Sequence, residues 1–153
     1  MNCIDPRNPT DCPYFLMSRV TLMITSALKK GFAEAGVEHA SPAYLGVLMA
    51  LWQDEGLQVV DLGRRAGLEP STMTGLLDRM ERDGLVERKD DPKDRRAQLI
   101  HLTEDGRRIR PAVLNVVDRI IGRVFGDVSD KDLSVTKGVL RRILSGLREG
   151  DER

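Results

Sequence analysis

The sequence predicts a mainly α fold with a small β-wing: a winged helix-turn-helix flanked by N- and C-terminal helices. Three observations carry that expectation. Apolar residues recur at three- and four-residue steps through most of the 153 residues, the period of a helix with one buried face. A brief helical stretch at 60–66 stops at Gly67, and Glu69-Pro70 opens another almost at once. Two strand-like runs, 85–88 and 97–103, then follow, joined by the charged tip 89–96.

In chain order, residues 1–12 are irregular, with Pro6, Asn8 and Pro9. From 13 to 35 the spacing of Leu16, Val20, Ile24, Leu28 and Phe32 predicts a helix, ended by Gly36. Ser41-Pro42 is a hydroxyl cap followed by proline at the first helical position, and the helix it starts carries Leu45, Leu48 and Trp52 to about Gly56. A short strand fits 57–59. The helix opened by Glu69-Pro70 buries Met73, Leu76, Leu77 and Met80 and stops at Gly84. In the wing, Val86, Ile100 and Leu102 are the expected anchors, with Leu99 on the other face. Thr103 caps a helix with Glu104 and Asp105 in its first turn, favourable at the positive end of the dipole, and this helix is expected to run through Pro111 to about Phe125. Ser129 starts a last helix carrying Leu133, Leu140, Ile143, Leu144 and Leu147, with a frayed tail at 150–153.

Composition bounds the function. The chain is 41% hydrophobic and 31% charged, enough for a core and for solubility, and its formal net charge is zero. That balance argues against indiscriminate binding to nucleic acid or acidic membrane, while leaving room for one basic face. No apolar run nears the length of a membrane span. Asp5 and Asp11, with Arg19 in the next apolar stretch, are unlike a signal peptide. Two cysteines, Cys3 and Cys12, are too few for a disulfide framework, so a reducing cytoplasm is expected. His39 and His101 are the only histidines, and no Cys-x-x-Cys or His-Glu-x-x-His spacing occurs. There is no phosphate loop, nucleophile elbow or Gly-rich dinucleotide turn. Neither a metal, a cofactor nor catalysis is expected.

A helix-turn-helix with a wing suits duplex DNA. A second helix with small polar residues at its N-terminal end enters the major groove, and here that end offers Ser71, Thr72, Thr74 and Gly75. Hydroxyls and helix N-terminal amides bond phosphates or base edges. Lys93, Arg95 and Arg96 in the wing tip fit the adjacent minor groove, whose narrow A·T-rich stretches attract arginine. Charge alone leaves two readings open. From 61 to 96 acidic and basic residues balance. Arg79 with Asp83, and Asp78 with Arg82, are four apart, as in a solvated, self-paired helix face. DNA binding requires the two signs to pair or to lie on different faces.

The block VVDLGRRAGLEPSTMTGLLDRMERDGLVERKDDPKDRRAQLIHLTEDG resembles the multiple-antibiotic-resistance regulator (MarR) family of winged-helix repressors. The match is most specific in LLDRMERDGLVER, then DPKDRR, then LTEDG, and the flanking helices agree in number and length. The resemblance implies a homodimeric, cytoplasmic transcriptional regulator on a pseudo-palindromic operator. Residues 1–35 would form an arm and first dimerisation helix, 41–103 the DNA-binding region, and 104–153 the remaining dimerisation helices, all within one domain. It also implies that Arg96 enters the minor groove, oriented by Asp94. One departure stands out: Gly75 occupies a position that is often bulky and polar or basic in similar proteins. That leaves Ser71, Thr72, Thr74 and Arg79 for direct readout. Either specificity leans on the wing and DNA shape, or Gly75 admits a close backbone approach.

Family members respond to small aromatic acids, phenolic ligands or oxidants, so the resemblance implies an effector. Tyr14, Phe15, Met17, Arg19, Tyr44 and Trp52 are candidates to line a ligand cleft; aromatics at helical spacing serve equally as core or dimer interface. Cys12, at the start of the first helix, is a candidate redox sensor with Cys3 as its resolving partner. The alternative is two incidental thiols. A rival from another class is a winged-helix protein-interaction module that does not read DNA.

Overall fold

The computed structural model describes residues 8–151, except for the side chains of Pro9, Arg95 and residues 148–151. Cys3 and most of the irregular arm lie outside the described residues, as do the last two of the tail. A single 3-10 turn, Pro9–Asp11, leads into α1 (Pro13–Glu34), with Pro13 at the position where its missing N–H costs nothing. Another 3-10 turn, Pro42–Tyr44, is capped by the Ser41 hydroxyl and continues as α2 (Leu45–Leu51). The sequence predicts one helix from Ser41 to near Gly56; the chain instead leaves the helix after Leu51. The turn at 52–56 brings the Trp52 Nε1–H to the Gly106 carbonyl at 2.9 Å and Glu55 to Arg107, contacts a continuing helix would not make.

The centre is β1 (Leu57–Gln58), α3 (Val59–Ala66), α4 (Pro70–Arg82), β2 (Val86–Asp91) and β3 (Asp94–Leu102). Gly67, at φ 71°, reverses the chain between α3 and α4. Gly84, at φ 75°, ends α4, and the Leu85 N–H then closes on the Met80 carbonyl at 2.9 Å. The strands form an antiparallel sheet in the order β1-β3-β2, with Val86 opposite Leu102 and Leu57 opposite Ile100. Both wing strands reach further than the sequence predicts. The expected tip of 89–96 shrinks to Pro92 and Lys93, because backbone pairing continues through polar residues that no apolar alternation marks.

Beyond the wing, Thr103 Oγ accepts from the Gly106 N–H at 3.0 Å and donates to the Gly84 carbonyl at 2.6 Å. Gly106 has no alternative: a Cβ there would stand 2.2 Å from the Leu85 carbonyl oxygen. The helix expected to run unbroken to Phe125 divides into α5 (Glu104–Arg108) and α6 (Arg110–Phe125). Pro111 has no N–H to donate and its ring excludes the carbonyl one turn back, so the ladder restarts at Ile109. The last helix, α7 (Asp130–Asp151), begins with Ser129 and Asp132 bonding each other reciprocally.

A single apolar cluster joins Phe32 of α1, Leu48 of α2, Met73 and Leu77 of α4, Ile100 and Leu102 of β3, and Val113 of α6. The stripe expected along α1 divides in two. Leu28 and Phe32 are buried against α6, whereas Leu16, Val20 and Met23 remain exposed. On α7, Leu140, Ile143, Leu144 and Leu147 are all exposed. Among the described residues, no helix is long and apolar enough to cross a membrane.

Candidate nucleic-acid interface

α4 divides cleanly by face. Met73, Leu76, Leu77 and Met80 are buried, which turns Ser71, Thr72, Thr74, Gly75 and Arg79 to solvent. A Cβ at Gly75 would meet only Arg79 Nη1, at 3.9 Å, so no neighbouring backbone demands glycine there. At the far end of the helix, the buried Tyr44 ring presents its hydroxyl to Asp83 Oδ2 at 2.6 Å. Burial, then the hydrogen bond to Asp83, raises the Tyr44 phenol above its ordinary range, while nearby Arg79 works the other way.

The wing is set by its acids. Pro92 holds a negative φ, so the tight turn cannot take the primed form preferred between twisted strands. Asp91 compensates: it is 8% exposed, Oδ1 accepts from the Lys93 N–H at 2.8 Å and Oδ2 from Gln58 Nε2 at 3.1 Å. Those hydrogen bonds, the Lys93 amide foremost, keep its carboxyl below the ordinary aspartate range. A register shift between Asp90 and Asp91 absorbs the mismatch. Asp94 Oδ1 accepts from the Arg96 backbone N–H at 2.9 Å, so it orients the backbone from which that exposed side chain leaves. Lys93 is exposed too, and Arg95 lies in β3.

The charge balance resolves by pairing, though not by the expected pairs. Arg88 of β2 bridges Asp78 at 2.6 Å and also Glu81, welding the wing's first strand to α4. Asp61 holds Arg64 at 3.1 Å, Asp54 holds Arg65 at 3.1 Å, and Glu87 holds Lys89 at 2.8 Å. Neither Arg79–Asp83 nor Asp78–Arg82 forms an ion pair. Arg79, Arg82, Lys93 and Arg96 have no carboxylate partner among the described residues. Most acids of the block are ion-paired or hydrogen-bonded, Glu69 and Asp90 being the exceptions among the described residues, and unpaired cations remain on α4 and the wing tip. Arg88, Gln58 and Asp91 escape sequence reasoning as site residues, because their partners lie on other elements, and Tyr44, expected at a ligand cleft, is instead bonded to Asp83 at the end of α4.

The profile of the MarR family matches residues 41–97. Over 108 residues, 71% of this chain and 71% of its relative, the chain is 36% identical to the organic hydroperoxide resistance transcriptional regulator of Bacillus subtilis (strain 168). The chain belongs to the MarR family. It is therefore a transcriptional regulator with the winged-helix fold. A second MarR-type relative, the transcriptional activatory protein BadR of Rhodopseudomonas palustris, is 30% identical over 140 residues, covering 91% of this chain and 80% of that one. Among solved structures, CouR from Rhodococcus jostii RHA1 bound to p-coumaroyl-CoA superposes with a TM-score of 0.71 at 34% identity, over 88% of this chain and 93% of that one.

In this MarR-family chain the effector candidates fall in separate places. Tyr14, Phe15, Met17 and Arg19 share the first two turns of α1; Tyr14 is exposed, and the Arg19 guanidinium lies 5.9 Å from the Phe15 ring centre. Tyr44 and Trp52 are engaged with Asp83 and Gly106. A separate cleft of about 190 Å³ opens between α1 and the turn before α2, lined by Lys29, Phe32, Ser41 and Pro42 among others. Cys12 is buried, 7% exposed, between the 3-10 turn and α1. Among the described residues no group of three His, Cys, Asp or Glu side chains is placed to hold a metal ion.

Proposed function

We propose that the chain binds a pseudo-palindromic operator as a homodimer and represses transcription until a small effector releases it. Residues 41–103 supply the DNA-binding region, and the helices of 1–35 and 104–153 supply the dimer. The observation that carries the reading is the sorting of charge. In a block with no net charge, ion pairs and hydrogen bonds consume acids on the DNA-facing elements, leaving Arg79, Lys93 and Arg96 exposed beside Ser71, Thr72 and Thr74. α4 then enters the major groove, and the tip bearing Lys93, Asp94, Arg95 and Arg96 the minor groove. The exposed apolar faces of α1 and α7 support the second copy.

For the effector, a small aromatic or phenolic acid is the leading reading. The cleft beside α1 pairs the aromatic Phe32 with the cation Lys29, and CouR was solved with an aromatic acyl thioester bound. Oxidation of Cys12 is the second, favoured by the relative named for organic hydroperoxide resistance and opposed by the burial of the thiol.

Selection of genomic fragments by the purified, reduced protein tests both levels. An inverted repeat with half-sites about 10 bp apart is expected. Release by aromatic acids but not by mild peroxide supports the ligand reading, and the reverse supports Cys12. No enrichment, with or without aromatic acids, overturns the operator reading.

A further inference from the structure

Arg79 and Asp83 stand four residues apart on α4, the spacing at which an arginine and a carboxylate pair across one helical turn. They form no ion pair. Asp83 Oδ2 is instead occupied by the Tyr44 hydroxyl, at 2.6 Å. Tyr44 is 4% exposed and belongs to the turn before α2, so its hydroxyl is delivered to the end of α4 from a rigid core. The Arg79 guanidinium lies near the Tyr44 hydroxyl rather than on the carboxylate, with Nη1 at 3.9 Å from the point where a Cβ on Gly75 would stand. The missing side chain at 75 is what leaves that space open.

We propose that Tyr44 is a positioning residue for DNA reading: by occupying Asp83 it frees Arg79 to lie over Gly75 and read the base edge there. The inference rests on the operator-binding reading and deepens it. It also accounts for Gly75, since a cation from one turn further on takes the place of a side chain at that position. Without the Tyr44 hydroxyl, the Asp83 carboxylate draws the guanidinium back toward the C-terminal end of α4, away from the groove.

The test uses the full-length protein and the operator selected by the wild type, with affinities read by fluorescence anisotropy at fixed salt. Tyr44→Phe keeps the ring and removes the competitor. An i,i+4 pair of this kind weakens binding about twofold per half-site, hence about fourfold for a dimer. Adding Asp83→Asn to Tyr44→Phe should restore wild-type affinity, a rescue that damage to the core would not permit. Arg79→Ala should cost roughly tenfold in discrimination at one base pair of each half-site and make Tyr44→Phe silent. Arg79 is exposed, so this arm stands even if Tyr44→Phe disturbs folding. Unchanged affinity in Tyr44→Phe, failure of Asp83→Asn to restore it, or an even loss across all duplexes in Arg79→Ala would each overturn the proposal. If the wild type selects no duplex, the operator reading falls and takes this inference with it. A selected operator on which all three variants match the wild type sinks the inference alone.

Discussion

Gly75 and Arg96 show how differently single residues constrain this protein. Glycine inside a helix costs about 1 kcal/mol relative to alanine, and nothing in the chain requires that cost here, since a Cβ would meet only Arg79 at 3.9 Å. Gly75→Ala is therefore expected to raise the unfolding free energy by about 1 kcal/mol in urea titration. Arg96 contributes outward. It is exposed and carries no ion pair among the described residues, so Arg96→Ala should leave the melting curve unchanged and weaken operator binding by about 1–3 kcal/mol. Leu102, 1% exposed at the wing's root, should behave in reverse. Leu102→Ala is expected to cost about 2–5 kcal/mol of fold stability, and calorimetry beside anisotropy separates the two defects.

Between elements, the joints are polar. Arg88 joins β2 to α4 through Asp78 and Glu81, so the wing's first strand and α4 are held as one body. Glu55, in the turn after α2, takes Arg107 of α5 at 2.8 and 2.7 Å and the Leu102 N–H at 3.3 Å, tying the root of the wing to the start of the C-terminal helices. The Arg107 hydrogen bonds hold the Glu55 carboxyl below the ordinary glutamate value of 4.5. A depressed folded-state value means that this clamp stabilises fully above pH 4.5 and is lost as the pH falls through the lower folded value. Glu55→Gln should cost about 1 kcal/mol at neutral pH and flatten the corresponding part of the acid limb in pH-dependent melts. A wild-type acid limb in that variant would refute the assignment.

At the scale of the molecule, one chain leaves its own hydrophobic pattern unsatisfied. Leu144 is 58% exposed and Leu147 68%, although both lie on the apolar stripe of α7, and the first half of α1 is similarly bare. Burying one leucine is worth about 1.5–3 kcal/mol, and a two-fold axis counts each substitution twice. Leu144→Asp is therefore expected to shift the protein to monomer in sedimentation velocity and to abolish operator binding, since each half-site alone binds weakly. A dimer that persists would place the interface elsewhere.

The sequence by itself determined the order of the elements and most of their boundaries, though not the end of α2 at Leu51 or the break between α5 and α6. Proline and glycine mark where helices begin and stop, Thr103 and Ser129 announce caps, and the period of Met73, Leu77 and Met80 already separates the buried face of α4 from the polar one. These are local effects, acting within a turn or two of chain. The true length of the wing strands was not legible, because cross-strand pairing persists through 87–91 without apolar alternation. Nor was the fate of the charges. Asp78 finds Arg88 rather than Arg82, and Asp83 finds Tyr44 rather than Arg79, because a partner fixed on another element of the folded core is already oriented, whereas an i,i+4 partner on an exposed helix must still be ordered against solvent. Only the tertiary structure decided which cations, among the described residues, stay without a carboxylate partner.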